Sequence, residues 1–396
     1  MSDLLTDYNI MDPEFIKDPF SRFDQIRESQ CPVAHTDRWG GSWMPTRYED
    51  VVAMAQEFEL FTSRGILVMP PAPGWDEGPY ASVAAPPITS DPPDHHWHRR
   101  LILPIFSPQS VAKYEQGTKD LCNSLIDEFI DEGVADAAGD YAQHIPVRVI
   151  ATMLGVPLEM EDEFTSWVRG VLEQGMTDPE LRAASSRKII SFFAEQLADR
   201  RKNPREGDFI SELTQAEVEG QKVPDHYILG VCNLMLVAGV DTTWSAIGST
   251  LWHLAQHPEH RRQLRENPDL WPTALEELLR VYAPVTMARI VDRDTEFQGC
   301  PMKAGDRVLM TFPAANRDPR QFADPDEVKL DREHNRHVAF GSGIHRCAGS
   351  NLARLELRVA LQTWLERIPE YSLVDPSEVT WAGGQVRGPR RCLVKF

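Results

Sequence analysis

The pattern of apolar and polar positions predicts a protein built mostly from helices. Residues 225–257 are apolar nearly all round a helical wheel, which predicts a long buried helix. Asp225 is its predicted N-cap, and the helix is expected to end before Pro258. A second helix, 272–282, carries an apolar stripe at helical spacing and stops before Pro284.

Other parts of the chain show weaker or different signals. Residues 47–61 have a helical pattern, whereas 65–94 are so rich in proline and glycine that a long loop is expected. Met69, Trp75 and Tyr80 in that loop suit an apolar ligand, and an irregular surface loop is the alternative. Strand signals are short and lie in ARIVDRDTEF, DRVLMTF and RRCLVKF. The expected fold class is mainly α with small β-sheets, in one domain over residues 1–396.

Composition and charge narrow the class of protein. The 396 residues carry a net charge of -19, which argues against nucleic acid as a partner. The six cysteines form no C-x-x-C pair, so neither a disulfide framework nor c-type haem attachment is expected. The N-terminus does not resemble a signal peptide, and the apolar run 228–240 is too short to span a bilayer. We therefore expect a cytoplasmic protein without membrane contact.

Three polar residues, Asp241, Thr242 and Thr243, interrupt the apolar face of the long helix. Asp241 would be buried there beside Thr242, and a buried carboxylate is costly unless it is paired or has a task. Gly239, just before them, costs about 1 kcal/mol relative to alanine. Together they point to a ligand near this turn. Close helix packing at Gly239, with threonines bonded to backbone carbonyls, is the alternative.

Two charged pairs also have helical spacing. His95 and Arg99 are four residues apart, so both lie on one face and suit a carboxylate or phosphate. A solvated basic face is the alternative, and Asp94 is a plausible cap for this helix. Glu277 and Arg280 lie three apart, opposite the apolar stripe of 272–282, which by itself predicts an exposed ion pair.

Cys347 lies in the glycine-rich stretch AFGSGIHRCAGS, directly before a predicted helix over 348–368. A nucleophile would need a base, and His345 is the nearest one. A metal-bound thiolate fits better, because a helix N-terminus stabilises a negative sulfur. The glycines let backbone amides or a flat cofactor come close.

Taken together, these stretches resemble the cytochrome P450 family. The loop FGSGIHRCAG matches the family's F-x-x-G-x-H-x-C-x-G, AGVDTT its oxygen-activating turn and ELLR its E-x-x-R pair, and NRDPRQFADPDEVKLDR resembles the segment that follows. The resemblance implies the P450 fold, haem b as cofactor, Cys347 as its metal ligand, and Asp241 and Thr242 as catalytic residues. It also implies a buried cluster of Glu277, Arg280 and Arg332.

The same resemblance assigns the remaining cofactor contacts. It implies propionate donors at His95, Arg99, Arg289 and His345. Further haem contacts are implied in the central helix and in the cysteine loop, at Ala238, Gly239, Phe340, Gly341 and Gly349. The implied activity is insertion of one oxygen atom of O2 into a C–H bond, by hydroxylation or dealkylation. An H2O2-driven peroxygenase and a non-catalytic haem sensor remain as alternatives.

A finer resemblance is to the bacterial branch of thiocarbamate-degrading P450s and P450–reductase fusions. The chain ends 49 residues after Cys347, so we expect electrons from a separate ferredoxin, of the 2Fe–2S type, and its reductase. Docking is expected near a basic patch of Arg346, Arg354 and Arg358. A small hydrophobic substrate is expected to contact the 65–90 loop and the residues Val237, Ala238, Val285, Thr286 and Met287.

Overall fold

The computed structural model describes residues 4–29, 31, 33–70 and 84–396. Most of the regular structure in these residues is helical, as predicted. The α-helices of the described residues are α1 (Pro13–Lys17), α2 (Pro19–Arg27), α3 (Tyr48–Gln56), α4 (Asp94–Ile102), α5 (Pro108–Val111), α6 (Glu115–Phe129), α7 (His144–Leu154), α8 (Glu161–Leu172), α9 (Pro179–Lys202), α10 (Phe209–Gln215), α11 (Asp225–Gln256), α12 (Pro258–Glu266), α13 (Trp271–Val281), α14 (Phe312–Ala315) and α15 (Ser350–Arg367).

The strands are short and form several small sheets. They are β1 (Val33–Thr36), β2 (Ser42–Pro45), β3 (Phe61–Thr62), β4 (Val134–Asp136), β5 (Glu217–Val218), β6 (Gln221–Lys222), β7 (Thr286–Val291), β8 (Thr295–Phe297), β9 (Cys300–Met302), β10 (Arg307–Thr311), β11 (Ser372–Leu373), β12 (Thr380–Ala382), β13 (Gly388–Arg391) and β14 (Leu393–Lys395). The largest sheet has the order β1-β2-β10-β7-β3, and the next has the order β11-β14-β4. The hairpins β5-β6, β8-β9 and β12-β13 complete the set.

The predicted strands are confirmed, and the helix ends agree with prediction to within a few residues. The exception is 47–61, where α3 stops at Gln56 and Phe61–Thr62 pairs with β7 instead. The strands β1 and β2 were not predicted. In the 65–94 segment the described residues before α4 have no helix or strand, as expected. Of the three residues proposed to suit an apolar ligand, Met69 is buried in a hydrophobic cluster, and Trp75 and Tyr80 lie outside the described residues.

Helix α11 is the central element of the fold. It packs against α7, α8, α9, α15 and strand β13, and its apolar faces are mostly buried. Among the described helices it alone is long and apolar enough to cross a membrane, but 67% of its most apolar stretch is buried in the protein. That burial is what a core helix requires, so the helix is explained by the fold itself.

The two predicted helix caps are wrong. Asp225 is the first residue of α11, Pro224 occupies the N-cap, and the Asp225 carboxylate pairs with Arg201 of α9. Asp94 is likewise the first residue of α4, behind Pro93. In both cases proline fixes the backbone at the helix entry, so the acidic residue moves into the first turn, where the helix dipole favours it.

Candidate functional site

The Cys347 loop closes on itself just before α15. The Cys347 backbone N–H donates to the Phe340 carbonyl at 2.8 Å. Gly341 and Gly343 have φ of 73° and 72°, which only glycine adopts without strain. A Cβ on Gly343 would also lie 2.6 Å from the Ala55 carbonyl of α3. The glycines therefore fix the path of the loop and hold it against α3.

The thiol of Cys347 has a mixed electrostatic environment. Burial raises its pKa, whereas the Gly349 backbone N–H, which donates to the sulfur, and the guanidinium groups of Arg99, Arg346 and Arg354 lower it. The residue is nevertheless exposed, and together with Arg99 and Phe106 it lines a cavity of about 250 Å³. Such a thiol is favoured as an anion only when a positive centre binds it.

The middle of α11 is accessible on one side. Ala238 is exposed and Thr242 half-exposed, although their neighbours Val240 and Asp241 are buried. The Thr242 hydroxyl donates to the Ala238 carbonyl at 2.7 Å, four residues back. Its oxygen keeps lone pairs for a further donor. This part of the helix therefore presents a small polar group in an apolar groove.

Gly239 has a packing role. A Cβ on this residue would lie 2.6 Å from Cδ1 of Ile150 in α7, so only glycine lets the two helices approach this closely. That is the packing alternative considered for this position. The back-bonded Thr242 fits the same alternative, but its accessibility leaves the ligand hypothesis intact at that residue.

Asp241 is fully buried and belongs to a charge network. Its Oδ1 accepts from Arg390 of β13 at 2.5 Å, and Arg390 also donates to Glu173 at 2.7 Å. Glu173 in turn pairs with Arg169 of α8 at 2.8 Å. Burial raises the pKa of Asp241, which Arg390 opposes, and its Oδ2 has no partner among the described atoms. The carboxyl group therefore faces the C-terminal strand.

Arg390 was missed by sequence reasoning, since it is 149 residues from Asp241. Its approach depends on small residues where β13 meets α11. A Cβ on Gly388 would lie 2.3 Å from Cβ of Ser245, so a larger residue would push the strand away. The stretch GGQVRGPRR thus brings a guanidinium group to a buried helix position.

The four predicted propionate donors come together. The His95 and His345 rings are 4.5 Å apart, edge to face, and both side chains are buried. Positive charges on Arg99 and Arg289 both act on His345 and lower its pKa, after burial as the largest cause. Burial also lowers the pKa of His95 to about 4 and that of Arg289 to about 10. An anion is the ligand that this group of cations and donors would favour.

Several polar atoms in this cluster have no partner in the described structure. They include His95 Nε2 and His345 Nδ1, both buried. Arg289 is 5% exposed, and its guanidinium donates to the carbonyl of Ala288 at 2.9 Å. Unsatisfied buried donors cost about 1–3 kcal/mol each unless a ligand satisfies them. The cluster therefore has the chemistry of a carboxylate-binding site.

Asp91 and Ser63 were not predicted but complete the cluster. Ser63 Oγ lies 2.8 Å from Nε2 of His345, and its backbone N–H donates to both oxygens of Asp91 at 3.2 and 3.0 Å. His345 is thus oriented by Ser63 and Asp91. It does not bond to Cys347, which removes the support for a cysteine nucleophile with His345 as base. Both new residues lie in irregular segments, where no periodic signal marks them.

Helix α4 connects the cluster to both sides of the site. Arg99 donates to the Arg346 carbonyl in the cysteine loop. At the same helix, Tyr227 of α11 donates through its hydroxyl to the His98 carbonyl at 2.7 Å. The cysteine loop, the cationic cluster and the central helix are therefore held in one arrangement.

The Glu277–Arg280 pair is buried, as the family resemblance implied. Both side chains are 0% exposed, and the Arg280 Nε to Glu277 Oε2 distance is 2.8 Å. Arg332 donates to the same Oε2 at 2.9 Å. The prediction of an exposed pair from periodicity alone is therefore wrong, because residues 316–332 cover the outer face of α13 and supply carbonyl acceptors for Arg280.

Comparisons with known proteins agree with this geometry. A model of the family described as Cytochrome P450 matches residues 164–368. The probable cytochrome P450 127A1 of Sinorhizobium fredii is 34% identical over 377 residues, covering 94% of this chain and 88% of that protein. The chain belongs to the cytochrome P450 family. The mycinamicin IV hydroxylase/epoxidase of Micromonospora griseorubida is 33% identical, over 93% of both chains.

A solved structure supports the fold. The Bacillus subtilis cytochrome P450 PksS superposes with a TM-score of 0.87 at 30% identity, covering 98% of this chain and 99% of that one. The P450 fold and an oxidoreductase activity are thus established for this chain, and P450 proteins bind haem b. They draw electrons from redox partners and use O2.

The residues of this site fit haem. A haem carries two propionates and an iron, and the site offers unpartnered donors at His95 and His345, the buried guanidinium of Arg289, and an accessible thiol at Cys347. The amide of Gly349 would remain bonded to the sulfur. A bound anion would also satisfy donors that are otherwise buried without acceptors.

The predicted basic patch is weaker than expected. Arg354 makes a two-pronged ion pair with Glu276, at 2.6 and 2.7 Å, and Arg358 pairs with Glu115 at 2.9 Å. Arg346 is exposed. It borders the cavity of about 250 Å³ that Cys347 lines, where Leu103 and Phe106 are apolar lining residues. This face is therefore partly apolar, with less positive charge than the three arginines suggested.

Proposed function

We propose that this chain is an O2-dependent monooxygenase that inserts one oxygen atom into a C–H bond of a small hydrophobic substrate. The observation that carries the proposal is the Asp241–Thr242 turn of α11. An accessible hydroxyl there follows a fully buried carboxyl group in the interior of the central helix. Such a pair would be suited to carrying protons into the site during O2 activation, which a peroxygenase or a haem sensor would not need.

Cys347 is the proposed ligand of the haem iron. Haem, when bound, supplies the activation of O2. The Cys347 thiolate would hold the iron and supply electron density to it, and the Gly349 amide would tune this donation. Phe340 and Gly341 give the loop its shape. Ala238, which is exposed, and Gly239, which also packs against α7, are the proposed haem contacts of the central helix. His95, Arg99, Arg289 and His345 are proposed to hold the two propionates.

Asp241 and Thr242 are the proposed proton carriers. In the observed arrangement the Asp241 carboxyl group is bonded to Arg390 and points away from the groove that the Thr242 hydroxyl group faces. We infer that Asp241 leaves Arg390 when it passes a proton toward Thr242. Glu173 can then hold Arg390, since it already accepts from that guanidinium at 2.7 Å. The network therefore supplies a second partner for the arginine during each transfer.

The substrate-contacting groove is apolar in its described part. Val237, Val285 and Met287 are partly exposed, and Thr286 between the last two adds a hydroxyl group. Such a surface favours small hydrophobic substrates held mainly by shape. Hydroxylation and oxidative dealkylation are both proposed, since either follows from attack on a C–H bond. A relative named as a hydroxylase/epoxidase supports oxygen insertion as the shared chemistry.

The finer assignments are also proposals. The resemblance to thiocarbamate-degrading and fusion P450s remains a prediction, because the comparisons reach only the family. We propose a cytoplasmic enzyme, with residues 1–396 forming one haem domain. A separate 2Fe–2S ferredoxin would dock on the face near Arg346, close to Cys347, and receive its electrons from a reductase.

The proposal is tested first through the iron ligand. The reduced carbon monoxide complex should show the absorption band of a thiolate-ligated haem, and Cys347→Ala should abolish it. A band that persists in the variant would remove Cys347 from the iron.

A second test separates the enzyme from its alternatives. Thr242→Ala should keep haem but divert reducing equivalents to hydrogen peroxide, and unchanged coupling would refute the relay. Product formation from H2O2 alone at the same rate would support a peroxygenase. A screen of small aromatic ethers, thiocarbamates and terpenoids for type I spectral shifts would identify the substrate class. Spectral shifts without turnover would support a sensor.

A further inference from the structure

Three histidines converge where the central helix ends. His253 lies in the last turn of α11, His257 forms the junction with α12, and His260 lies in the first turn of α12. Their ring nitrogens lie within 4.8 Å of one another. The chain achieves this because Pro258 starts a new helix at once, which turns His260 back toward the face that carries His253 and His257. The haem site does not use this cluster.

The three rings have nitrogens to offer. His253 Nε2 lies 2.9 Å from His260 Nδ1, and the ring of His257 stacks on His253 with centroids 4.1 Å apart. Two nitrogens bound to one tetrahedral zinc ion lie about 3.3 Å apart, given metal–nitrogen distances of about 2.0–2.1 Å. The His253–His260 pair therefore needs only a small displacement. His257 must turn its ring toward the pair, and its side chain is 43% exposed, so space allows this.

The outer hydrogen bonds also match a metal site. Nδ1 of His253 lies 2.7 Å from the Tyr282 hydroxyl, and Nδ1 of His257 lies 2.9 Å from a carboxylate oxygen of Glu259. When Tyr282 accepts from His253 and Glu259 accepts from His257, both imidazoles keep a lone pair on Nε2. In His253 that lone pair accepts from Nδ1–H of His260, and binding of a metal would release this proton to solvent. Ligating histidines ordinarily have such a partner on the second nitrogen, because it fixes the tautomer and the ring direction.

The cluster has an approach route of suitable charge. His260 lines a surface cleft of about 570 Å³, and the walls of this cleft carry Glu266, Glu327 and Asp331 against one cation, Lys329. This excess of carboxylates attracts a divalent cation.

Besides the other two histidines, the charge of Arg317 acts on His253, and Arg317 is itself paired with Asp326 at 2.9 Å. That ion pair offsets part of the positive charge near the buried end of the cluster.

We propose that His253, His257 and His260 bind one divalent transition-metal ion, with zinc as the expected occupant. Imidazole nitrogens suit zinc, copper and nickel, and a three-histidine set leaves a fourth position, here open to the cleft, for water. The site is about 16 Å along α11 from Thr242, given 11 residues at 1.5 Å each. It is therefore separate from the iron and would join the end of the central helix to α12.

The proposal distinguishes a metal site from a simple hydrogen-bonded stack. A stack needs His253 and His260, which bond to each other, and gains little from His257. A metal site needs all three rings. The decisive variant is therefore His257→Asn, which removes the half-exposed ligand and leaves the His253–His260 bond in place. His226→Asn is the matched control, because His226 is an exposed histidine near the opposite end of α11.

The experiment uses the haem-loaded protein without an affinity tag. A chelator first removes bound divalent metal ions, and the protein is then titrated with zinc in competition with a fluorescent zinc indicator. Zinc K-edge X-ray absorption reports the ligands without interference from haem iron. We expect one zinc per chain with histidine ligands, a raised melting temperature with zinc, and unchanged binding in His226→Asn. His257→Asn and His260→Asn should each weaken binding by at least about tenfold, and Tyr282→Phe by about 10–100-fold as an outer partner.

Folding is checked by the carbon monoxide band, which every variant should retain because the site is remote from the iron. The proposal is overturned if the wild type binds no zinc at micromolar free concentration. Equal binding in the wild type and in His257→Asn would also overturn it, because the metal would then be held by surface residues elsewhere.

Discussion

Glu356 allows a sharp test of the electrostatics around the site. It lies in α15, nine residues after Cys347, is 1% exposed, and its Oε2 has no partner among the described atoms. Burial raises the pKa of this carboxyl group from 4.5 to about 8. The folded protein therefore holds a proton at neutral pH that the unfolded chain has already released.

The sign and size of the effect follow from proton linkage. Below pH 4.5 both states are protonated and Glu356 has no net effect on stability. Between pH 4.5 and 8 the unfolded chain ionises first, so the free energy of unfolding falls as pH rises. At 1.36 kcal/mol per pKa unit, the loss is about 3 kcal/mol at pH 7 and approaches about 5 kcal/mol above pH 8.

The perturbation is Glu356→Gln, which keeps the shape and removes the titration. We expect the variant to be more stable than the wild type, with a difference in unfolding free energy that widens by about 3 kcal/mol between pH 5.5 and 8.5. Urea unfolding of the haem-loaded proteins, at equal protein and haem concentrations, measures this difference. An infrared band of a protonated carboxyl group at pH 7 should disappear in the variant.

The control is Glu366→Gln, in the same helix but 61% exposed and facing Lys119. Exposed pairs contribute about 0–1 kcal/mol, so the control should show little dependence on pH. A stability difference for Glu356→Gln that does not change with pH, or that changes equally in Glu366→Gln, would refute the assigned burial effect.

Three further substitutions test other parts of the site. Arg289→Leu should weaken haem binding by about 10–100-fold, because one charged hydrogen bond is lost. The same variant should stabilise the haem-free protein, because a buried cation is removed. Haem titration measures the first effect, and the melting temperature of the haem-free protein measures the second. Gly343→Ala should destabilise the cysteine loop by about 1–3 kcal/mol or more, seen as a lower melting temperature and a weaker carbon monoxide band. Arg390→Met should raise the pKa of Asp241 further and increase the fraction of reducing equivalents lost to peroxide, measured by oxygen and product balance.

Each of these has a neighbouring control. Gly299 also has positive φ, 79°, but a Cβ there meets nothing within 4 Å, so Gly299→Ala isolates backbone strain from the clash in Gly343→Ala. Arg391 is adjacent to Arg390 but 47% exposed, and Arg391→Met should leave coupling unchanged. If Arg289→Leu lowers both the affinity for haem and the melting temperature of the haem-free protein, the guanidinium group is structural and the anion site is elsewhere.

Local sequence patterns were sufficient to predict the helices but not to predict which segments pack against them. The end of α11 and the bounds of α13 were predicted to within one residue, because apolar periodicity and proline are signals within one segment. The same periodicity placed Glu277 in solvent, because the cover over α13 comes from a segment 40 to 55 residues later. Burial of a helix face depends on what packs against it, which one segment cannot encode.

The same dependence on distant segments explains why Arg390, Asp91 and Ser63 were not predicted. Arg390 reaches Asp241 across 149 residues, and Asp91 and Ser63 lie in irregular backbone. A signal did exist for Arg390, since a buried Asp241 demanded a cation, and the C-terminal strand carries two adjacent arginines. The sequence alone could not show which of the two arginines reaches Asp241, because that depends on the close contact of Gly388 with Ser245.

The buried Glu277 cluster connects to the cysteine loop through one side chain. Arg280 donates to the Asn316 carbonyl at 2.9 Å, which fixes the start of the covering segment. The Asn316 side-chain oxygen then accepts from the Val338 backbone N–H at 2.7 Å, two residues before Phe340. Since Phe340 accepts from the Cys347 amide, a change at Glu277 reaches the sulfur in few steps.

This connection explains why an ion cluster is kept in the interior despite its desolvation cost. Apolar residues of equal volume would often be as stable there, so stability alone does not account for it. The guanidinium of Arg280 makes directed bonds to three backbone carbonyls and to Glu277, whereas an apolar side chain could hold the same segment only by contact. Directed bonds fix the position of Asn316, and through it the loop that carries Cys347. The cluster therefore serves the geometry of the proposed metal ligand, and its replacement by apolar residues of equal volume should affect haem retention more than global stability.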